Sequence, residues 1–392
     1  CSMGLGLISN VLIIRKLTVE DFGVFSVALL VVNLLTTFGF NWSSSSILYY
    51  GSREKELYGN LNKTFWSRNI IIFVSLLIIT TGIILFRDQI NNYIGLNVWF
   101  LLILWLYVGV AENYLIQYFL AIKKQIISSM LSITAKVIYI LLLIFVQFDV
   151  KTLIIIYIIS HASVIFYILG INRNDISSFE IDRDWFKKIL NFSLWQLFGF
   201  SGVYLINFGD IAVVKYFMTS REVGIYNAAY QLFTAVASFA FVISSYYASS
   251  ISEYFTNGNK KQIKKFYYKE RFFIAVASIV MHVIVIIISK PVITLLYGDE
   301  YLQSVRIFNI LMVGSMVKYL TVFYMLYYNT NNKHAIQQTI NISISIINVL
   351  LSIILIQIFG LIGPAIGTVL TYLISLSLSF FYCEKRIKKF VK

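Results

Sequence analysis

The sequence predicts an all-α integral membrane protein: twelve transmembrane helices in two six-helix, pseudo-symmetric bundles around a central cavity. Three observations predict it. Of 392 residues, 59% are hydrophobic and only 13% charged, whereas soluble globular chains carry about 25% charged residues. Apolar runs of 18 or more residues recur along the chain, and such a run crosses the hydrocarbon core as a helix. The third observation is an internal repeat. Residues 15–25 match 216–226 at an offset of 201, with Thr18 on Thr219, Asp21 on Glu222, Gly23 on Gly224 and Phe25 on Tyr226. The same offset carries Lys63-Thr64-Phe65-Trp66 onto Lys264-Lys265-Phe266-Tyr267. Two halves of one topology imply a pseudo-two-fold axis along the membrane normal, which suits alternating access. A β-barrel would show ~10-residue alternating segments, and none occur.

The expected spans are 1–14, 23–46, 69–86, 98–120, 126–148, 152–170, 188–214, 224–250, 272–289, 304–328, 335–358 and 361–382. The first is short against the ~20 residues of a full span and reads as a helix truncated at its start. Spans four and five are joined by a short turn at Lys123-Lys124, which makes them neighbours. An N-terminal bundle, 1–171, is separated from a C-terminal bundle with a basic tail, 188–392, by a linker over 172–187. That linker is polar and acidic, and 179–188 reads as an interfacial amphipathic helix. Residues 259–271 form a second elbow, basic and aromatic, suited to lipid headgroups.

The net charge of +14 could suggest nucleic acid. Its distribution argues otherwise. Of 32 Lys and Arg residues, 22 fall in segments on one side, 8 on the other and 2 within spans. The rich side is cytoplasmic by the positive-inside rule, so both termini are placed in the cytoplasm and no nucleic-acid partner is expected. The two cysteines, Cys1 and Cys383, sit at opposite ends and give neither a disulfide framework nor metal spacing. No Walker motif, HExxH or Cys/His cluster appears, so no metal or cofactor is expected. An integral-membrane polymerase would need an external loop bearing carboxylates or histidine; the external loops are short, so the chain does not read as an enzyme.

Three charged residues lie deep in spans, where a charge costs a few kcal/mol or more unless it faces a partner or a cavity. At ~1.5 Å per residue, Lys136 is about 15 Å in from the cytoplasmic end, Glu112 about 12 Å and Lys318 about 15 Å. Spans four and ten are counterparts in the repeat, so one half presents an acid where the other presents a base. Gln125, Ser129, Ser132, Lys136 and Tyr139 are spaced 4, 3, 4 and 3 apart, a polar seam on one helix face. Glu112 can pair with Lys136. That pair either fixes helix packing or belongs to a cationic anion site gated by the carboxylate. A lone helical histidine is more often a hydrogen-bonded packing residue; otherwise His161 and His282 are proton-relay candidates. Asp210 lies near the external end of span seven, as an outer-gate group or an interfacial carboxylate.

The segment Leu12-Ile13-Ile14-Arg15-Lys16-Leu17-Thr18-Val19-Glu20-Asp21-Phe22-Gly23-Val24-Phe25 resembles the first-loop signature of polysaccharide-biosynthesis flippases. Asp210 followed by Glu222-Val223-Gly224-Ile225-Tyr226-Asn227-Ala228-Ala229-Tyr230 is similar to the opening of their second half. Leu295-Leu296-Tyr297-Gly298-Asp299-Glu300-Tyr301 resembles their loop before helix ten, and Gly360-Leu361-Ile362-Gly363-Pro364-Ala365-Ile366-Gly367-Thr368 the start of their last helix. This resemblance to the O-antigen and capsular-polysaccharide flippases of the multidrug/oligosaccharidyl-lipid/polysaccharide exporter superfamily implies a transporter in the bacterial cytoplasmic membrane. The implied substrate is undecaprenyl-pyrophosphate-linked oligosaccharide, moved to the periplasmic leaflet. The implied partners are that substrate, membrane lipids, a polysaccharide polymerase and a chain-length regulator. Lys136 and Lys318 would attract the pyrophosphate, with Gln125, Ser129, Ser132 and Tyr139 lining the cavity; Glu112, Asp210, His161 and His282 would gate or couple, with Na⁺ or H⁺ as the coupling ion. A cation-coupled multidrug exporter of the same superfamily is the alternative transporter, and a membrane-integral polysaccharide polymerase the alternative of another class.

Overall fold

The computed structural model describes residues 2–171, 178–331 and 333–391. Those residues are built from helices joined by short connections. The chain divides into two compact units, Cys1–Tyr204 and Leu205–Lys392. Unit 1 holds α1 (Ser2–Lys16), α2 (Val19–Gly39), α3 (Ser44–Tyr58), α4 (Asn62–Leu85), α5 (Arg87–Ile94), α6 (Trp99–Ala121), α7 (Gln125–Phe145), α8 (Val150–Ile171) and the first part of α9 (Arg183–Phe217). Unit 2 holds the remainder of α9, then α10 (Ser220–Thr256), α11 (Lys260–Lys265), α12 (Arg271–Ile287), α13 (Ser289–Tyr297), α14 (Leu302–Thr330), α15 (His334–Phe359) and α16 (Gly363–Val391). Ten stretches among the described residues are long and apolar enough to cross a membrane, the last of them, 335–391, covering both α15 and α16.

The repeated motif is a pair of helix starts. Thr18 caps α2, its Oγ1 accepting the Asp21 N–H at 3.1 Å. Thr219 caps α10 in a full capping box, with Glu222 accepting the Thr219 N–H at 2.9 Å. A Thr three residues before an acid satisfies the orphan donors of a first turn. Both helices therefore begin at the cap, a few residues ahead of the expected spans at 23 and 224. At the other end of the first span, Lys16 donates to the Leu143 and Ile144 carbonyls at 2.6 and 2.9 Å, filling acceptors that the C-terminus of α7 leaves open.

The turn between α6 and α7 is as tight as expected: Lys123 takes a φ of 64°, and the two helices pack as neighbours. The linker departs from expectation. Residues 172–177 lie outside the described residues. Residues 178–182 are not helical, so the helix expected over 179–188 starts only at Arg183. Asp182 is the reason, because its Oδ1 accepts the Asp184 and Trp185 N–H groups, each at 3.0 Å, which is the work of an N-cap. This segment lies against protein. Lys63 Nζ meets Asp182 Oδ2 at 3.0 Å, Trp185 donates to Thr64 Oγ1 at 2.8 Å, and Trp66 donates to the Ser178 carbonyl at 2.9 Å. Phe192, about two and a half turns into α9, stacks on Tyr49. These contacts bind the start of α9 into unit 1, so the divide falls within α9 rather than over 172–187.

Candidate functional site

Unit 1 encloses a cavity of about 380 Å³ bounded by α1, α2, α6, α7 and α8. Ser132, Lys136 and Tyr139 of the polar seam line it, together with Glu112, Asn113 and His161. Gln125 and Ser129 do not. They border a separate cleft among Ile126, Met130, Ile133 and Thr134, where Ile126 and Met130 are 77% and 57% exposed. The packed face of α7 carries Ser128, Leu131, Ala135 and Tyr139, and the seam runs along its edge. Only where α1 and α2 close over that edge does the seam face a cavity. Ser128, rather than Ser129, turns inward and donates to the Ile116 carbonyl at 3.2 Å.

The charged pair in the cavity is acid and imidazole. Glu112 Oε2 and His161 Nδ1 are 2.6 Å apart, and both residues are under 10% exposed. A contact that short marks a charge-assisted hydrogen bond. Tyr157 lies one helical turn before His161 and stacks on its ring at 4.0 Å; Trp105 and Tyr139 stand against Tyr157 at 5.5 and 5.7 Å. The rings pack around the imidazole and hold its plane. Lys136, half-buried, shares the cavity. Glu112 makes a short hydrogen bond to His161, and Lys136, its expected partner, lines the same cavity. Tyr157 is a site residue the sequence reading missed, although its four-residue spacing from His161 is visible in the sequence.

In unit 2, Lys318 points its Nζ at the rings of Phe241 (4.9 Å) and Tyr372 (5.9 Å). A cation over aromatic faces is stabilised without a counter-charge. No carboxylate lies within 4.0 Å of it among the described residues. His282 has both nitrogens engaged: Nδ1–H donates to the Ser278 carbonyl at 2.7 Å, and Nε2 lies 2.8 Å from Ser315 Oγ. The carbonyl can only accept, which places a proton on Nδ1. This arrangement fits the packing role and leaves no open nitrogen for a proton relay.

Asp210 is 2% exposed, which removes the interfacial reading. Its Oδ2 accepts from Tyr226 OH at 2.7 Å and Thr368 Oγ1 at 2.6 Å, and its Oδ1 from Ser352 Oγ at 2.8 Å. Asn348 donates to Thr368 at 3.1 Å, and its own Oδ1 is buried without a partner. Four helices, α9, α10, α15 and α16, thus converge on one carboxylate held by hydroxyls. A buried carboxylate needs such donors to persist, and a set of side-chain oxygens this dense also suits a hard cation or a proton. No group of three or more His, Cys, Asp or Glu that could hold a metal occurs among the described residues.

A family model described as polysaccharide biosynthesis protein matches residues 12–306. A probable low-salt glycan biosynthesis flippase, Agl15 of Haloferax volcanii, is 20% identical over 196 residues, covering 50% of this chain and 42% of that protein. The chain thus spans less than half the length of that relative. Two solved structures share the fold. The inward closed conformation of the lipid II flippase MurJ aligns at a TM-score of 0.75 and 18% identity, over 100% of this chain and 88% of that one. An inward-facing multidrug resistance MATE family transporter aligns at 0.75 and 16%, over 100% and 95%.

Proposed function

Because the chain belongs to the polysaccharide biosynthesis protein family, we propose that it is a flippase that carries undecaprenyl-pyrophosphate-linked oligosaccharide, an O-antigen or capsular repeat unit, from the cytoplasmic to the outer leaflet of a bacterial cytoplasmic membrane. The observation that carries this reading is Lys136, half-buried in a polar cavity beside the Glu112–His161 pair. A cation kept at membrane depth defaults to a functional role, and a polyprenyl pyrophosphate is the anionic lipid that the resemblance to polysaccharide flippases implies. Lys136 and Lys318 each attract the pyrophosphate as point charges. Ser132 and Tyr139 offer hydroxyls to the glycan.

Transport is coupled to Na⁺ or H⁺. Two buried carboxylates are placed for that exchange, Glu112 with its imidazole and Asp210 among hydroxyls. Binding a cation at either site changes the relative stability of two conformations only by its differential affinity for them. The same carboxylates would serve a cation-coupled multidrug exporter, so the transport assay includes a cationic dye as a second substrate.

The test is reconstitution in liposomes with labelled lipid-linked oligosaccharide, scoring leaflet exposure. Lys136→Ala and Lys318→Ala are expected to lower the rate at least tenfold with the protein still folded. Unchanged flipping in both variants, or transport of the dye alone, overturns the proposal.

A further inference from the structure

Unit 2 carries an open cleft of about 510 Å³ at the end of α12 that adjoins the basic elbow. Helices α12, α14 and α16 wall it. Phe272, Ala275, Leu320, Leu376, Phe380 and Phe381 form an apolar slot. Phe272 and Phe381 are 63% and 75% exposed, which suits contact with lipid rather than with protein.

The other end of the slot is polar. Tyr268 stands in a π-helical turn, Phe266–Glu270, that joins α11 to α12; single π turns recur at functional sites. Arg271 lies over the rings of Tyr267 (5.5 Å) and Tyr324 (5.0 Å), and its NH2 bonds Glu384. Glu384 also accepts from Tyr324 OH at 2.9 Å and Tyr268 OH at 3.4 Å. Arg271 lines the cleft with part of its side chain exposed (18%), so its guanidinium supplies positive charge at the polar end. Lys269, Lys385 and Arg386 are exposed at adjacent positions, while the nearby Glu270 is taken by Lys265 at 3.1 Å. The chain next to Tyr268 and Glu384 is therefore cationic.

We propose that this cleft binds one anionic glycerophospholipid of the adjoining leaflet. The phosphodiester meets the Arg271 guanidinium and Tyr268, and the glycerol end of an acyl chain fills the slot. From Arg271 to Ala275 the slot is about one helical turn deep, ~6 Å, so the rest of the chain runs along the exposed phenylalanines. Arg271 already shares its charge with Glu384. What remains suits the single charge of a phosphodiester better than the multiple charge of a pyrophosphate. The site lies in unit 2, whereas the Lys136 cavity lies in unit 1, and it does not depend on the flippase reading. Its test reads lipid retention without transport, so the two can fail separately.

Native mass spectrometry of the full chain in detergent, with dioleoyl phosphatidylglycerol or dioleoyl phosphatidylcholine added at equal concentration, tests it. One phosphatidylglycerol is expected to be retained about tenfold more tightly than phosphatidylcholine. Ser377→Trp, which plugs the slot, removes that adduct. Joint Lys269→Gln and Lys385→Gln changes reduce the preference. Ala275→Phe serves as a second plug should the tryptophan variant fail to fold, and thermal unfolding without lipid reports on folding. Equal retention of the two lipids, retention by a folded plugged variant, or displacement by equimolar undecaprenyl phosphate overturns the proposal.

Discussion

Replacing Glu112 and His161 by alanine, singly and together, measures the contact on which the unit 1 site is built. A hydrogen bond to a charged group contributes about 1.5–3 kcal/mol in water-soluble proteins. Side-chain couplings across membrane helices are smaller, averaging ~0.6 and reaching ~1.7 kcal/mol, because the unfolded chain in the bilayer also finds partners. The geometry puts this pair near the upper limit: 2.6 Å between Oε2 and Nδ1, exposures of 8% and 4%, and an aromatic wall that keeps the imidazole in plane. The expected coupling energy is therefore about 1–1.7 kcal/mol. Each single change costs more than this, since it leaves the other group buried and unpaired. The assay is reversible unfolding in mixed micelles with the four proteins of the cycle. A parallel cycle on Glu112 and Lys136 ranks the two partners of the carboxylate. A Glu112/His161 coupling below about 0.5 kcal/mol, or one smaller than that of Glu112 with Lys136, refutes the reasoning.

Asp210→Ala leaves three hydroxyl donors unpaired, each costing about 1–3 kcal/mol before rotation relieves it; a loss of about 3 kcal/mol is expected by thermal unfolding, together with loss of any stabilisation by added Na⁺. Gly363→Ala would place a Cβ 2.3 Å from the Leu355 carbonyl carbon and oxygen, a clash with backbone that cannot move aside. It is expected to cost about 3 kcal/mol or more, whereas Gly82→Ala, with nothing within 4 Å, is neutral or stabilising; expression and melting temperature distinguish them. The Asp182 carboxyl is held below its ordinary value by the Trp185 N–H and then by Lys63. A depressed carboxylate stabilises above its ordinary value of ~3.9 and loses that contribution as pH falls through the lowered value. Docking of 178–182 onto α4, followed by Trp185 fluorescence, should therefore be intact at pH 5 and loosen progressively below ~4.

Helices and helix starts were legible in the sequence because their causes are local. Apolar length predicts a span, and Thr18 with Asp21, or Thr219 with Glu222, predicts the residue at which it starts once the pattern is read as a cap. The amphipathic reading of 179–188 failed for an equally local reason: Asp182 can cap, and a cap sets where the helix begins. What the sequence did not show is which helix covers another. The seam from Gln125 to Tyr139 has one spacing throughout, yet only Ser132, Lys136 and Tyr139 reach the cavity, because α1 and α2 close over that part alone. The hydroxyls around Asp210 come from three other helices, up to 158 residues away in sequence, and no spacing rule links them.

The two units keep their buried charges by different means. In unit 1 the acid is bonded to an imidazole, and a lysine shares their cavity. In unit 2 the acid is bonded to hydroxyls, and the lysine rests on Phe241 and Tyr372. An imidazole can take up or release a proton near neutral pH; hydroxyls cannot. If both units exchange a cation during transport, the unit 1 site offers a nitrogen base to a proton and the Asp210 site a set of oxygens to a metal cation. Flipping rates measured across pH at fixed Na⁺, and across Na⁺ at fixed pH, separate the two. His161→Gln should flatten the first dependence and Asp210→Asn the second. A single variant that abolishes both dependences would show one coupling site rather than two.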